Sequence, residues 1–309
     1  MSSPAPRIVL GRSPGPLLEV LPTGATLAAF EATCGDGVRR NLVLARPGGT
    51  GPADDRDYLG SVVGRWANRI AGGHLELEGR THALATHDRG HLLHGGPDGF
   101  DRRVWDVVAA DDTSARLRLV SPDGDQGFPG RLVAEASYSL LEDGFRLELT
   151  ATTDAPTVVN LTLHGYATLD DSGGVDDHVL TVPADHYLPV DGTGIPTGDP
   201  RSVTGTRFDL RHERRLADSG ALDHTLVVAG EGLRPVAVLD SAESRTRLTI
   251  SSDHPGLQVY TGDALTTHAP RAGVALEPQR FPDAPHRWPT AAVLRPGEVY
   301  RHVLTWRVS

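Results

Sequence analysis

Apolar and polar residues alternate with a period of two along several short runs of this chain. Ala115-Arg116-Leu117-Arg118-Leu119-Val120, Phe145-Arg146-Leu147-Glu148-Leu149-Thr150 and Arg245-Thr246-Arg247-Leu248-Thr249-Ile250 each place apolar side chains on one face, as half-buried β-strands do. His74-Leu75-Glu76-Leu77-Glu78, Gly79 and Thr81-His82-Ala83-Leu84 predict a hairpin, and residues 299–306 predict a strand able to close a sheet. Helical periodicity is scarce, with short helices expected only over residues 58–67 and 211–218. The 35 glycines and 23 prolines are spread evenly, punctuating strands rather than marking a linker. No internal repeat, low-complexity tract or shift in composition divides the chain. The economical expectation is all-β: a single large antiparallel domain over residues 1–309 with a few short helices. Periodicity leaves open whether it is a sandwich or a closed barrel.

Composition removes many kinds of chemistry. All thirty basic residues are arginine, so no lysine can form a Schiff base, hold pyridoxal phosphate or complete a phosphate-binding P-loop. Cys34 is the single cysteine, which excludes an intramolecular disulfide, a cysteine-based zinc site and a redox pair. The formal net charge of −10 argues against nucleic acid, anionic membranes and polyphosphate as partners. There is no 18-residue apolar run, and Met1-Ser2-Ser3-Pro4-Ala5-Pro6-Arg7 lacks both a charged start and an apolar signal core. A cytoplasmic location is the expectation.

What remains is acid–base chemistry, and three separated segments offer it. In Asn160-Leu161-Thr162-Leu163-His164-Gly165-Tyr166, strand geometry would put Asn160, Thr162, His164 and Tyr166 on one face and the leucines on the other. Such a face is either a lined cleft or an ordinary solvated surface. Gln258 and Tyr260 share a face in the same way, where amide and phenol could bind hydroxyls or simply be exposed. Glu277 follows the apolar run Gly273-Val274-Ala275-Leu276, with Pro278 expected to stop the strand ladder. That places it at a sheet rim or in a pocket, where desolvation would raise its pKa toward the range of a general base. His94 lies in the glycine-rich stretch Gly90-His91-Leu92-Leu93-His94-Gly95-Gly96, where backbone can approach a ligand closely. His91 and His94 could also be read as metal ligands three apart, but no clustered carboxylate or cysteine completes a site. Arg69 presents a fork of donors suited to two hydroxyls, or is merely solvated.

Together these segments are more specific than any one alone. The chain resembles the aldose 1-epimerases (galactose mutarotases) over nearly its whole length. The matching stretches include Gly64-Arg65-Trp66-Ala67-Asn68-Arg69-Ile70, Leu93-His94-Gly95-Gly96 with Gly99-Phe100-Asp101, Val159-Asn160-Leu161-Thr162-Leu163-His164-Gly165-Tyr166, Leu222-Asp223-His224, Gln258-Val259-Tyr260-Thr261-Gly262 and Leu276-Glu277-Pro278-Gln279. The resemblance implies a β-sandwich of the galactose-mutarotase type, a cleft for a pyranose, and neither cofactor nor metal. It implies Glu277 as the general base on the anomeric hydroxyl, His164 as the acid on the ring oxygen, and His94 as a catalytic group that holds the sugar. Asn68, Arg69, Tyr166, Asp223 and Gln258 match the remaining sugar contacts. A small monosaccharide or related hemiacetal is the implied partner, and oligomeric state is left open.

Several positions depart from the family pattern. Where Asn-His-Ser-Tyr-Phe-Asn-Leu is usual, this chain has Leu163-His164-Gly165-Tyr166-Ala167-Thr168-Leu169, and Thr225 follows Asp223-His224 where Asn is usual. Gly165, Ala167 and Thr168 therefore suggest a roomier or less polar neighbourhood and an altered preference among pyranoses. Alternatives to an aldose 1-epimerase are an epimerase for a sugar phosphate or natural-product hemiacetal, a carbohydrate-binding protein without catalysis, and a glycoside hydrolase using Glu277 and Asp223. A phosphate site would need Arg102, Arg103 or Arg271 to converge on the cleft.

Overall fold

The computed structural model describes residues 7–46 and 57–309. The N-terminal segment read above for a signal lies, up to Pro6, outside the described residues. Two antiparallel sheets dominate. The larger has nine strands among the described residues, running in space from Asp106–Ala110 through Ser114–Ser121, Leu132–Leu141, Gly144–Thr153 and Tyr300–Val308 to Thr246–Ser252, Arg234–Ser241, Val179–Thr181 and Arg214–Arg215. The smaller has six, in the order Tyr166–Ala167, Val274–Gln279, Gly256–Tyr260, Asp223–Val228, Ala184–Tyr187 and Arg201–Ser202. An N-terminal four-stranded sheet spans Ile8–Gly11 to Arg39–Asn41.

The alternation read from the sequence builds the core. Ala115, Leu117 and Leu119 are buried while Arg116, Arg118 and Val120 are exposed, and Phe145, Leu147 and Leu149 are buried on the next strand but one. These pack with Leu257, Val259, Val274 and Leu276 of the smaller sheet into one apolar cluster, which makes the fold a β-sandwich. The period of two then forces Gln258, Tyr260, Ala275 and Glu277 onto the opposite face of that smaller sheet.

The predicted hairpin forms from His74–Leu77 and Arg80–Ala83. The predicted helices do not. Residues 58–67 form turns around the short strand Val62–Val63, because Tyr58 and Gly60 take left-handed backbone angles that break a helix. Of the 211–218 segment only the residues from Leu216 on are helical, in the single 3₁₀ turn Leu216–Ser219. Pro278 does not stop its strand. It pairs with Leu257 and the ladder continues to Gln279 opposite Gly256. No helix among the described residues is long and apolar enough to cross a membrane.

Candidate active site

The outward face of the six-stranded sheet floors a cleft of about 690 Å³. Strand register aligns its floor: Gln258 pairs with Glu277 on one side and Thr225 on the other. Tyr260 pairs with Asp223 and Ala275, and Ala275 in turn pairs with Tyr166. Two cross-strand rows of side chains thus point the same way without any helix or loop to aim them.

Hydrogen bonds fix the orientation of the first row. Thr225 donates its hydroxyl to Gln258 Oε1 at 2.5 Å, and Gln258 Nε2 donates to Asp223 Oδ1 at 2.6 Å. A carboxylate can only accept, so the amide nitrogen must face Asp223 and the amide oxygen must face Thr225. The second N–H of Gln258 and the other oxygen of Asp223 are then a donor and an acceptor side by side.

Glu277 is 2% exposed, with Oε1 at 3.5 Å from His164 Nε2. Glu277 Oε2 and His164 Nδ1 are buried without a hydrogen-bond partner. Burial pushes the Glu277 carboxyl well above its ordinary range, Asp223 adds to this, and Arg69 opposes it. Burial likewise lowers His164 to about 4. Both effects favour the neutral form of each group. Transfer of a proton from the carboxyl to the imidazole would yield carboxylate and imidazolium with no change in net charge.

His94 reaches the same point from a loop. Its ring Nδ1 accepts the Asn68 backbone N–H at 3.1 Å, and the His94 backbone N–H donates to Asn68 O at the same distance; the first bond fixes the tautomer. The neutral ring must carry its proton on Nε2. Burial holds its pKa well below the ordinary value, and His164, Arg69 and His87 add to the effect. The His94 and His164 rings lie edge to face at 5.1 Å. Asn68 (φ +63°) and His94 (φ +48°) are both in the left-handed region, strain of roughly 1–3 kcal/mol each that the packing sustains. Gly95 is required beside them, because a Cβ there would lie 1.7 Å from Gly64 O.

Arg69, 7% exposed, pairs its Nε with Asp88 at 2.7 Å. Tyr166 lies beside His164 at 5.1 Å, and burial raises its phenol pKa far enough that it stays a donor. Every residue named from the sequence as catalytic or sugar-binding (His94, His164, Glu277, Asn68, Arg69, Tyr166, Asp223 and Gln258) lines this one cleft. Asn160 and Thr162 do not. Asn160 Nδ2 donates to Ala67 O and Thr162 donates to Pro278 O, so they tie strands together. The face expected to run from Asn160 to Tyr166 reaches the cleft only at its far end, since Gly165 interrupts the strand.

His91 is no partner of His94 for a metal: Nδ1 accepts the Gly72 N–H and Nε2 is bonded to Thr193 Oγ1. His94, His164 and Glu277, however, offer ligand atoms within 4.8 Å of one another, a donor set that also suits a divalent ion. Gly165 does not open the cleft, because the indole of Trp306 fills the space beside it and would stand 3.0 Å from an added Cβ. Ala167 belongs to the apolar core. Sequence reasoning missed Tyr58, Asp57 and Asp88 on the cleft wall and Thr225 behind Gln258. Tyr58 was hidden in a stretch read as helix, and the role of Thr225 was legible only through strand register.

The sequence of residues 6–307 matches the family model described as aldose 1-epimerase. The aldose 1-epimerase of Escherichia coli K12 is 36% identical over 319 residues, covering 95% of this chain and 92% of its own. Human galactose mutarotase is 34% identical, covering 94% and 90%. Among solved structures, an aldose epimerase homologue from C. elegans superimposes with a TM-score of 0.92 at 31% identity over 99% of both chains. The galactose 1-epimerase of Lactobacillus acidophilus gives 0.86 at 30%, covering 98% and 94%. The chain belongs to the aldose 1-epimerase family.

Proposed function

We propose that this protein interconverts the α and β anomers of a neutral pyranose, with Glu277 and His164 as the acid–base pair. The observation that carries the reading is the pair itself: a buried carboxyl and imidazole 3.5 Å apart, beside a row of hydrogen-bonding side chains on the same sheet face. A bound sugar would supply what the pair lacks. The anomeric O–H would donate to Glu277, favouring the carboxylate, and the ring oxygen would accept from His164, favouring the imidazolium. Glu277 then removes the hydroxyl proton while His164 protonates the ring oxygen, and the ring opens to the aldehyde. Rotation about C1–C2 presents the other carbonyl face, and the reverse transfers close the opposite anomer. Each positioned proton transfer contributes about 10²- to 10⁴-fold. His94 Nε2–H would stabilise negative charge on the moving oxygen, and Asn68, Arg69, Tyr166, Asp223 and Gln258 would hold the remaining hydroxyls.

Charge in the cleft supports a neutral sugar over a phosphorylated one. Arg69 and Arg89 both pair with Asp88, and Arg102 stands 3.8 Å from Asp101. Arg103 and Arg271 are engaged by Asp98 and Asp125, and by Asp176 and Asp263, away from the cleft. Polarimetry on freshly dissolved α-glucose and α-galactose tests the proposal. The expected result is accelerated mutarotation that survives a chelator; no acceleration of either sugar overturns it, and loss on chelation with recovery on adding a divalent ion would replace the acid–base trio with a metal site.

A further inference from the structure

Tyr58 belongs to no row of the sheet, yet it touches both histidines. Its ring centroid lies 4.6 Å from that of His94 and 5.5 Å from that of His164. Its backbone is left-handed (φ +55°), a conformation that bulky residues adopt only where their surroundings enforce it. Two sets of bonds enforce it. The neighbouring Asp57 carboxylate accepts from the backbone N–H and hydroxyl groups of both Thr266 and Thr267, at 2.6–3.1 Å. On the other side Ser61 N–H closes a turn on Tyr58 O, and the same turn grips the His164 backbone: His164 N–H donates to Ser61 O and Gly60 N–H donates to His164 O. Ring and backbone of one short segment therefore address the same imidazole.

We propose that Tyr58 is a positioning residue of the active site, whose ring sets the angle between His94 and His164 and shuts both off from bulk water. The inference rests on the acid–base reading of His164 above. The two imidazoles line a cleft open to solvent yet are only 5% and 4% exposed, and the half-buried Tyr58 ring packs against both. The other groups around His164 are Glu277, Tyr166 and His94, with Asp57 acting at longer range. Arg69 and His87 bear on His94. Tyr166 packs its ring on His164 from within the cleft, whereas Tyr58 packs on both imidazoles, so its ring adds to the burial that favours their neutral form. The phenol oxygen bridges to His87 Nε2 at 3.4 Å, a weak contact on the exposed rim, so the ring rather than the hydroxyl carries the effect.

Tyr58→Ala and Tyr58→Phe separate these contributions. With α-glucose or α-galactose, Tyr58→Ala should lower kcat about tenfold or more with KM changed less than about threefold, since a misplaced catalytic group costs turnover before affinity. In histidine-ring NMR titrations the His164 midpoint should move up toward its ordinary value, and Tyr58→Phe should restore both readouts to within about threefold and a few tenths of a pH unit. A Tyr58→Ala variant with wild-type kcat and midpoint overturns the proposal, as does a Tyr58→Phe variant equally impaired. If Tyr58→Ala does not fold, Tyr58→Leu keeps bulk without a ring; at least about a threefold kcat loss is then expected, and wild-type behaviour in both readouts overturns it. Should the wild type show no mutarotation, the functional reading fails on its own, while the NMR midpoints still report what Tyr58 does to His164.

Discussion

At the scale of single residues, the cleft is organised by groups that make only one chemically consistent arrangement. Asp223 can only accept, so Gln258 must turn its nitrogen toward it, and Thr225 is then the donor that occupies the amide oxygen. Thr225→Val leaves that buried oxygen unpaired, at a cost of about 1–3 kcal/mol, and frees the amide to turn. Sugar KM should rise roughly 10- to 100-fold with kcat nearly unchanged, and Thr225→Ser should recover most of it. An unaltered KM in Thr225→Val would show that amide orientation is not read by the sugar. The departure from the usual Asn at this position is thus a change in how the row is tied together. Nothing in the separate readings of Gln258 and Thr225 disclosed it, because their pairing joins residues 33 apart in sequence.

At the scale of elements, what the sequence disclosed followed from alternation, and what it hid came from long-range contacts. Gln258 with Tyr260 and Glu277 beyond its apolar run were legible because neighbouring leucines and valines had to face the core. The two-residue strand Arg69–Ile70, the break at Gly165 and the turn at Tyr58 were not legible, since each depends on distant partners: Asp283, Trp306 and, through Asp57, Thr266 and Thr267. Gly165 shows the consequence. Restoring the family's serine with Gly165→Ser presses a Cβ against the Trp306 indole, so it should cost about 1–3 kcal/mol of stability, as overpacking does. Sugar preference should not move, because residue 165 is outside the cleft. Thermal melts with kcat/KM for glucose, galactose, xylose and arabinose check both halves; a shifted preference at unchanged stability would contradict the packing argument. Likewise Asp57→Ala removes the acceptor for the Thr266 and Thr267 donors, which more than offset the burial that would otherwise raise its pKa. It should lower kcat in parallel with Tyr58→Ala, and full activity would sever the link between that anchor and the histidines.

For the whole molecule, the buried histidines set a pH signature. His164, lowered to about 4 by burial, is neutral in the fold but protonates below about 6.5 when unfolded. Between those values the unfolded state binds more protons, so stability falls as pH drops through this window, by roughly 3 kcal/mol for His164 alone. Burial lowers His94, His254 and His302 as well, and they act with the same sign. Glu277 and Asp101, both raised by burial and the latter to about 6, act oppositely in this window, while His286, raised by its bond to Asp283, acts above it. The histidines lowered by burial outnumber these two carboxyls, so thermal midpoints should fall from about pH 6.5 to pH 4. A midpoint independent of pH there would mean that these rings are not neutral in the fold. The central claim, however, concerns Glu277 and His164 as an acid–base pair, and its most direct test is the polarimetric rate of the Glu277→Gln variant against the wild type on α-galactose and α-glucose. The amide keeps the shape of the side chain but cannot take the hydroxyl proton, so turnover should fall roughly 10²-fold or more with sugar affinity and thermal stability largely kept. Near-normal mutarotation in that variant would contradict the account.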